Sequence, residues 1–155
     1  MLSIDSLMSR KVVTAAPGDR VADVSRRMDG ASVGAVVLVE GARLAGIFSE
    51  RDLLRRVVAA GKDPATTEVG SVATRDVVSV GPKAPLRECA EALKTHGVRH
   101  LPVVEGGRVV GILSARDFFA AVAGELEGLF ERIRYDEQLR QNVDPYDHLG
   151  GSYGR

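Results

Sequence analysis

GIFSERDLLRRV begins at Gly46, and GILSARDFFAAV begins at Gly111, sixty-five residues further along the chain. The two stretches hold Ser49 and Ser114, Arg51 and Arg116, and Asp52 and Asp117 in place while the residues around them change. The same shift aligns Ser6–Val57 with Ser71–Val122 without a gap. RKVVTAAP (10–17) answers to RDVVSVGP (75–82), and VEGARLAGIFS (39–49) answers to VEGGRVVGILS (104–114). A unit that cannot bury its apolar face alone is stabilised by packing on its copy. Two copies therefore predict a pseudo-twofold pair.

Each copy changes apolar rhythm in the same order. VVT (Val12 to Thr14) reads as a short strand, and PGDRVADVSRRMDG puts Val21, Val24 and Met28 at helical spacing behind Asp19 as a cap. Leu86, Cys89 and Leu93 keep the same register in the second copy. AVVLV (35–39) and HLPVV (100–104) read as buried strands, EG and EGG as hairpin turns, and LAGIFS (44–49) and VVGILS (109–114) as return strands. SERDLLRRVVAAG (49–61) and SARDFFAAVAG (114–124) follow as helices. The expected class is mixed α/β (α+β), two tandem β-α-β-β-α motifs over residues 1–62 and 63–124. GKDPATT (61–67) is the linker, with Gly and Pro as helix stops. In residues 125–155, ELEGLFERIRYDEQLRQ places Leu126, Leu129, Phe130 and Ile133 on one stripe, an amphipathic extension of the last helix. DPYDHLGGSYGR (144–155) reads as an irregular tail.

Composition narrows the function classes. The chain has 155 residues, enough for an ordinary core without staples. Its 21 Lys+Arg balance 21 Asp+Glu, which argues against nucleic acid as a partner, since phosphate-backbone binding draws on an uncompensated basic face. A single cysteine, Cys89, leaves no internal disulfide and no multi-cysteine zinc site, and it matches Val24 in the first copy, which makes it a core residue rather than a redox centre. No apolar run approaches the ~20 residues of a membrane span, and no leader peptide is evident, so a cytoplasmic location and no membrane partner are expected. His96, His100 and His148 are scattered, no metal site is expected, and no nucleophile–base set or acid–base pair is legible. No catalysis is expected.

The Ser-x-x-Asp opening of each final helix has two readings. Ser accepts a bond from a free N–H in the first helical turn and Asp suits the helix dipole, a capping signal of ~1 kcal/mol. The same geometry offers N–H groups and a hydroxyl to a phosphate, with an Asp one turn in to accept from a ribose diol. The residues alone leave both open.

Taken together, the paired β-α-β-β-α units, VRHLPVV (98–104) followed by a turn and VVGILS, and the doubled Ser-x-x-Asp resemble a tandem pair of cystathionine-beta-synthase (CBS) domains, a Bateman module, over about Ile4 to Ala123. The resemblance implies a stand-alone regulatory module that binds AMP, ADP or ATP as a regulatory ligand in clefts between the units. It also implies a homodimer, and an effector protein would receive the signal. It assigns phosphate to Ser49 and Ser114 and ribose to Asp52 and Asp117. Adenine falls to the backbone of Val13, Thr14 and Ala15 or of Val78, Ser79 and Val80. The start of the second strand supplies Gly34 and Ala35 in one copy, and Arg99 and His100 in the other. Arg51 and Arg116 lie beside the phosphate positions. Glu50, where the second copy has Ala115, sets a carboxylate near one phosphate place, so unequal clefts are expected with the Asp117 cleft ranked first. The alternatives are a dimerisation scaffold with vestigial clefts, or a sensor of S-adenosylmethionine or NADH.

Overall fold

The computed structural model describes residues 2–140. Among the described residues, those up to Phe118 form one compact unit and those from Phe119 to Arg140 a second. The first repeat, and the second as far as Phe118, fall within the first unit. His148 and the irregular tail lie outside the described residues.

The first unit is built on a five-stranded sheet of β1 (Thr14–Ala15), β2 (Ala35–Glu40), β3 (Arg43–Ser49), β4 (His100–Glu105) and β5 (Arg108–Ser114), in the order β1-β2-β3-β5-β4. The two hairpins, β2 with β3 and β4 with β5, carry a register irregularity at matching places, Leu38/Val39 and Val103/Val104. They meet through Arg43 and Arg108, residues related by the repeat shift, so the pseudo-twofold axis passes between β3 and β5. Pro102 sits in β4 at the sheet edge, where a residue without an N–H is tolerated.

Helices α2 (Val21–Ala31) and α4 (Leu86–His96) bury the expected faces, Val21, Val24 and Met28 in one and Cys89 and Leu93 in the other. With Phe48, Val36, Leu38, Val57 and Val69, the α2 face forms a continuous core. Burial pushes the Cys89 thiol up to about 11, with Glu88 adding to the shift, as suits a core residue.

Two local expectations are corrected, and two local features are added. Asp19 does not cap α2: the N-cap is Arg20 without a side-chain bond, and Asp19 accepts from the Ala16 N–H at 3.0 Å and from Arg27 at 2.9 Å. Those bonds, the Ala16 one foremost, hold the Asp19 carboxyl below its usual range. The open α2 N–H groups are satisfied by the linker instead, Val21 donating to the Thr67 carbonyl and Ala22 to that of Pro64. The first strand is Thr14–Ala15 rather than Val12–Thr14, and its counterpart in the second repeat is reduced to one parallel bridge from Val80 to Val103. A short helix, α1 (Ile4–Leu7), precedes the first repeat's strand. The helix after β3 begins as α3 (Glu50–Asp52) and widens to a π-helix over Leu53–Val58.

The two repeats are tied by exchanged leading segments. Thr74 pairs with Ile47 of β3, and Ser9 pairs with Ile112 of β5, bridges related by the repeat shift. This crossing explains why Gly46 and Gly111 recur. A Cβ at Gly46 would stand 3.0 Å from the Thr74 carbonyl oxygen, and one at Gly111 would stand 2.5 Å from Met8 Sδ and 3.1 Å from the Ser9 carbonyl oxygen.

The last helix, α5 (Ala115–Arg140), continues without interruption into the extension. Leu126, Leu129, Phe130 and Ile133 are between 45% and 61% exposed.

Candidate functional site

The site begins where β3 and β5 hand over to helices. Ser49 is held in the sheet opposite Ala35, and Ser114 opposite His100. The first helical N–H of each copy donates to the residue preceding its hairpin, Glu50 to the Gly34 carbonyl at 2.9 Å and Ala115 to that of Arg99 at 2.8 Å. At the first junction the capping box is closed. The Ser49 hydroxyl accepts from the Asp52 N–H at 3.2 Å, and Asp52 Oδ2 accepts from the Ser49 N–H at 2.9 Å. Asp52 Oδ1 stands 3.5 Å from Arg56 Nε, and the Asp52 side chain is only 14% exposed.

A cavity of about 180 Å³ opens at this junction. Ile47, Ser49, Glu50, Arg51 and Asp52 line it from the first repeat, together with Gly34. Thr74, Asp76, Val77 and Val78 and then Gly97, Val98, Arg99 and His100 line it from the second. The exchanged segment accounts for this mixture, because the Thr74 bridge to Ile47 lays the second repeat's leading segment against the strand that ends in Ser49.

Charge in the cavity is mixed, with Glu50, Asp52 and Asp76 against Arg51 and Arg99. Gly34 brings Glu50 and His100 close: a Cβ there would lie 3.4 Å from Glu50 Oε1 and 3.8 Å from His100 Cε1. Burial holds the His100 pKa below its ordinary value, opposed by Glu50 and Asp117 and reinforced by Arg99. His100 is consequently a neutral imidazole near pH 7, able to donate one hydrogen bond and accept another.

Six expected site residues converge here: Ser49, Arg51, Asp52, Val78, Arg99 and His100. The others lie elsewhere. Ala15, Ala35 and Val80 are buried in the core and Val13 packs against it, while Thr14 and Ser79 are exposed. The Thr14 carbonyl accepts from Arg27 at 3.0 Å. Ser114 is half-buried and Arg116 and Asp117 are exposed at the start of α5, away from this cavity's lining. The cavity thus forms at Asp52, whereas the sequence reading ranks the Asp117 cleft first.

Thr74, Asp76 and Val77 went unanticipated because the sequence gives no sign that the leading segments exchange. The repeat shift maps Thr74 to Ser9, Asp76 to Lys11, Arg99 to Gly34 and His100 to Ala35, so the symmetry-related place carries a different set of charges. Among the described residues, no three His, Cys, Asp or Glu side chains gather as a metal site. No described helix is long and apolar enough to cross a membrane.

The CBS domain family model matches residues 4–59 and 69–124, the two repeats almost in full. The chain belongs to the CBS-domain family. It is 31% identical over 117 residues to the CBS domain-containing protein YhcV of Bacillus subtilis, covering 76% of this chain and 83% of that protein. Among solved structures, it is similar to a CBS-domain containing protein from Agrobacterium tumefaciens (TM-score 0.71, 29% identity, 77% of this chain and 98% of that one). It is also similar to a CBS domain protein from Pyrobaculum aerophilum complexed with AMP (TM-score 0.69, 29% identity, 75% of this chain and 89% of that one).

Proposed function

We propose that this protein is a non-enzymatic regulatory module that binds an adenine nucleotide in the Asp52 cavity and signals through its conformation. The observation that carries the reading is the convergence in one cavity of Ser49 and Asp52 from one repeat with Val78, Arg99 and His100 from the other. Asp52 accepts from the ribose diol with Oδ1, the oxygen that stands 3.5 Å from Arg56 Nε. Arg99 and the neutral His100 receive phosphate, and Ile47 and Val78 offer apolar contact to the base. Three carboxylates against two guanidinium groups make each added phosphate less welcome, so AMP is favoured over ATP. Because both repeats line the cavity, a ligand that fits one arrangement of the repeats better than another shifts the balance between them.

The protein works as a homodimer in this account. Leu54 and Val58 on the π-helical segment are 60% and 63% exposed and offer a packing surface beside the cavity residues. An AMP-bound structural relative supports the ligand class. A dimerisation scaffold is the second reading, favoured by the closed Ser49–Asp52 capping box, which explains both residues without any ligand.

Mass spectrometry of the purified protein after denaturation tests the choice, read beside melting scans with AMP, ADP and ATP. A recovered adenine nucleotide, or a melting shift on adding one, is expected. Neither appearing would leave the scaffold standing.

A further inference from the structure

Within the second unit, the helical stretch Phe119–Arg140 is about 33 Å long at 1.5 Å per residue. Every residue from Ala123 to Arg140 except Gly128 is exposed. Most helical stability in proteins comes from packing an apolar face, and Gly124 and Gly128 weaken this unpacked helix further. It carries a seam nonetheless: Val122, Leu126, Leu129 and Ile133 follow the alternating four-three-four spacing of a coiled coil. Both glycines lie off that seam.

We infer that this helix pairs antiparallel with the same helix of a second copy of the chain. Charge decides the occupant and the direction. Glu125 and Arg132 each precede a seam residue by one position and so flank the seam on the same edge. The antiparallel register that stacks Leu126 on Leu129 of the second copy also stacks Val122 on Ile133. The same register brings Glu125 opposite Arg132 at both ends, two attractions from one sequence. A parallel pair would set Asp136 against Asp136 and Arg140 against Arg140, since both continue the seam positions, and like charges there are repelled. The helix is thus complementary to itself in one direction. This pairing stands apart from the nucleotide reading and from the Leu54–Val58 surface.

Glu125→Cys and Arg132→Cys, made separately in the full chain, test it with a short bismaleimide at tens of micromolar protein. Cys89 is buried, and the parent chain is the control for it. A mixture of the two variants keeps one Glu125–Arg132 pair and places the two cysteines opposite each other, so cross-linked dimer should form about tenfold faster than with either variant alone. Equal rates in all three samples, or fast self-linking by Glu125→Cys alone, would overturn the pairing. Should either variant lose helical circular dichroism, charge exchange gives a second readout: Glu125→Arg should weaken sedimentation-measured association about tenfold and adding Arg132→Glu should restore it. Association indifferent to both changes would overturn the pairing as well.

Discussion

Asp52, a cavity-lining residue, holds Ser49 with one carboxylate oxygen, accepting its N–H at 2.9 Å and its hydroxyl at 3.1 Å, while the other oxygen rests 3.5 Å from Arg56. On the proposed reading, the capping role falls to Oδ2 and the ribose role to Oδ1. Arg56→Ala separates them. It frees Oδ1 without touching the cap, so AMP affinity should be unchanged or up to about threefold tighter by calorimetry, given the ~0.3–0.5 kcal/mol typical of such a helix pair. A tenfold loss would contradict this and point to the other Arg56 contact, its donation to the Ala73 carbonyl at 3.1 Å beside Thr74.

His100 makes the protein sensitive to acid. Its folded pKa lies below the unfolded value, so its contribution to stability is present above the unfolded pKa and is lost as pH falls through that value toward the folded one. The melting temperature should fall as pH drops below about 6.5, the ordinary histidine value, and His100→Gln should flatten that fall. A bound phosphate favours the imidazolium, so AMP binding should take up protons and tighten as pH drops. Equal heats in buffers of different ionisation enthalpy would contradict the proton uptake.

Gly46 and Gly111 are fixed by the exchanged segments, not by backbone angle. Gly46→Ala drives a methyl onto the Thr74 carbonyl and Leu38, and overpacking of this kind costs about 1–3 kcal/mol. At roughly 2–4 °C per kcal/mol, the melting temperature should drop by about 2–12 °C. Gly111→Ala should do the same through Met8 and Ser9, and Met8→Ala should relieve part of the Gly111→Ala loss but none of the Gly46→Ala loss.

Ser32 and Gly97 end their helices at equivalent places, both left-handed, with φ of 53° and 59°. Glycine adopts that region freely and serine does not. Ser32→Gly should stabilise the protein by about 0.5–1 kcal/mol in denaturant titration, and Gly97→Ser should destabilise it by a similar amount.

The repeat, read from Gly46 and Gly111, contained nearly all of the architecture, since strand alternation and the Val21–Val24–Met28 spacing are local signals. The hairpins fall within a residue or two of their expected bounds. What the sequence left out is what depends on distant backbone. Asp19 looked like a cap because its type and position fit, yet the linker carbonyls of Thr67 and Pro64 took that role. The cavity's second wall was hidden for the same reason: Thr74 and Asp76 reach it only through the bridge to Ile47, which no periodicity announces.

Calorimetric titration of AMP into the native chain and into Asp52→Ala and Asp117→Ala tests the central claim, with melting scans alongside. At a hundredfold excess over its dissociation constant, AMP should add about 2.7 kcal/mol, a shift of roughly 5–10 °C. Asp52→Ala should abolish the binding heat and that shift while lowering the unliganded stability by only ~1 kcal/mol, the worth of a cap. Asp117→Ala should leave most of both in place. Full AMP binding by Asp52→Ala, or no binding by the native chain once copurified nucleotide has been removed, would contradict the account.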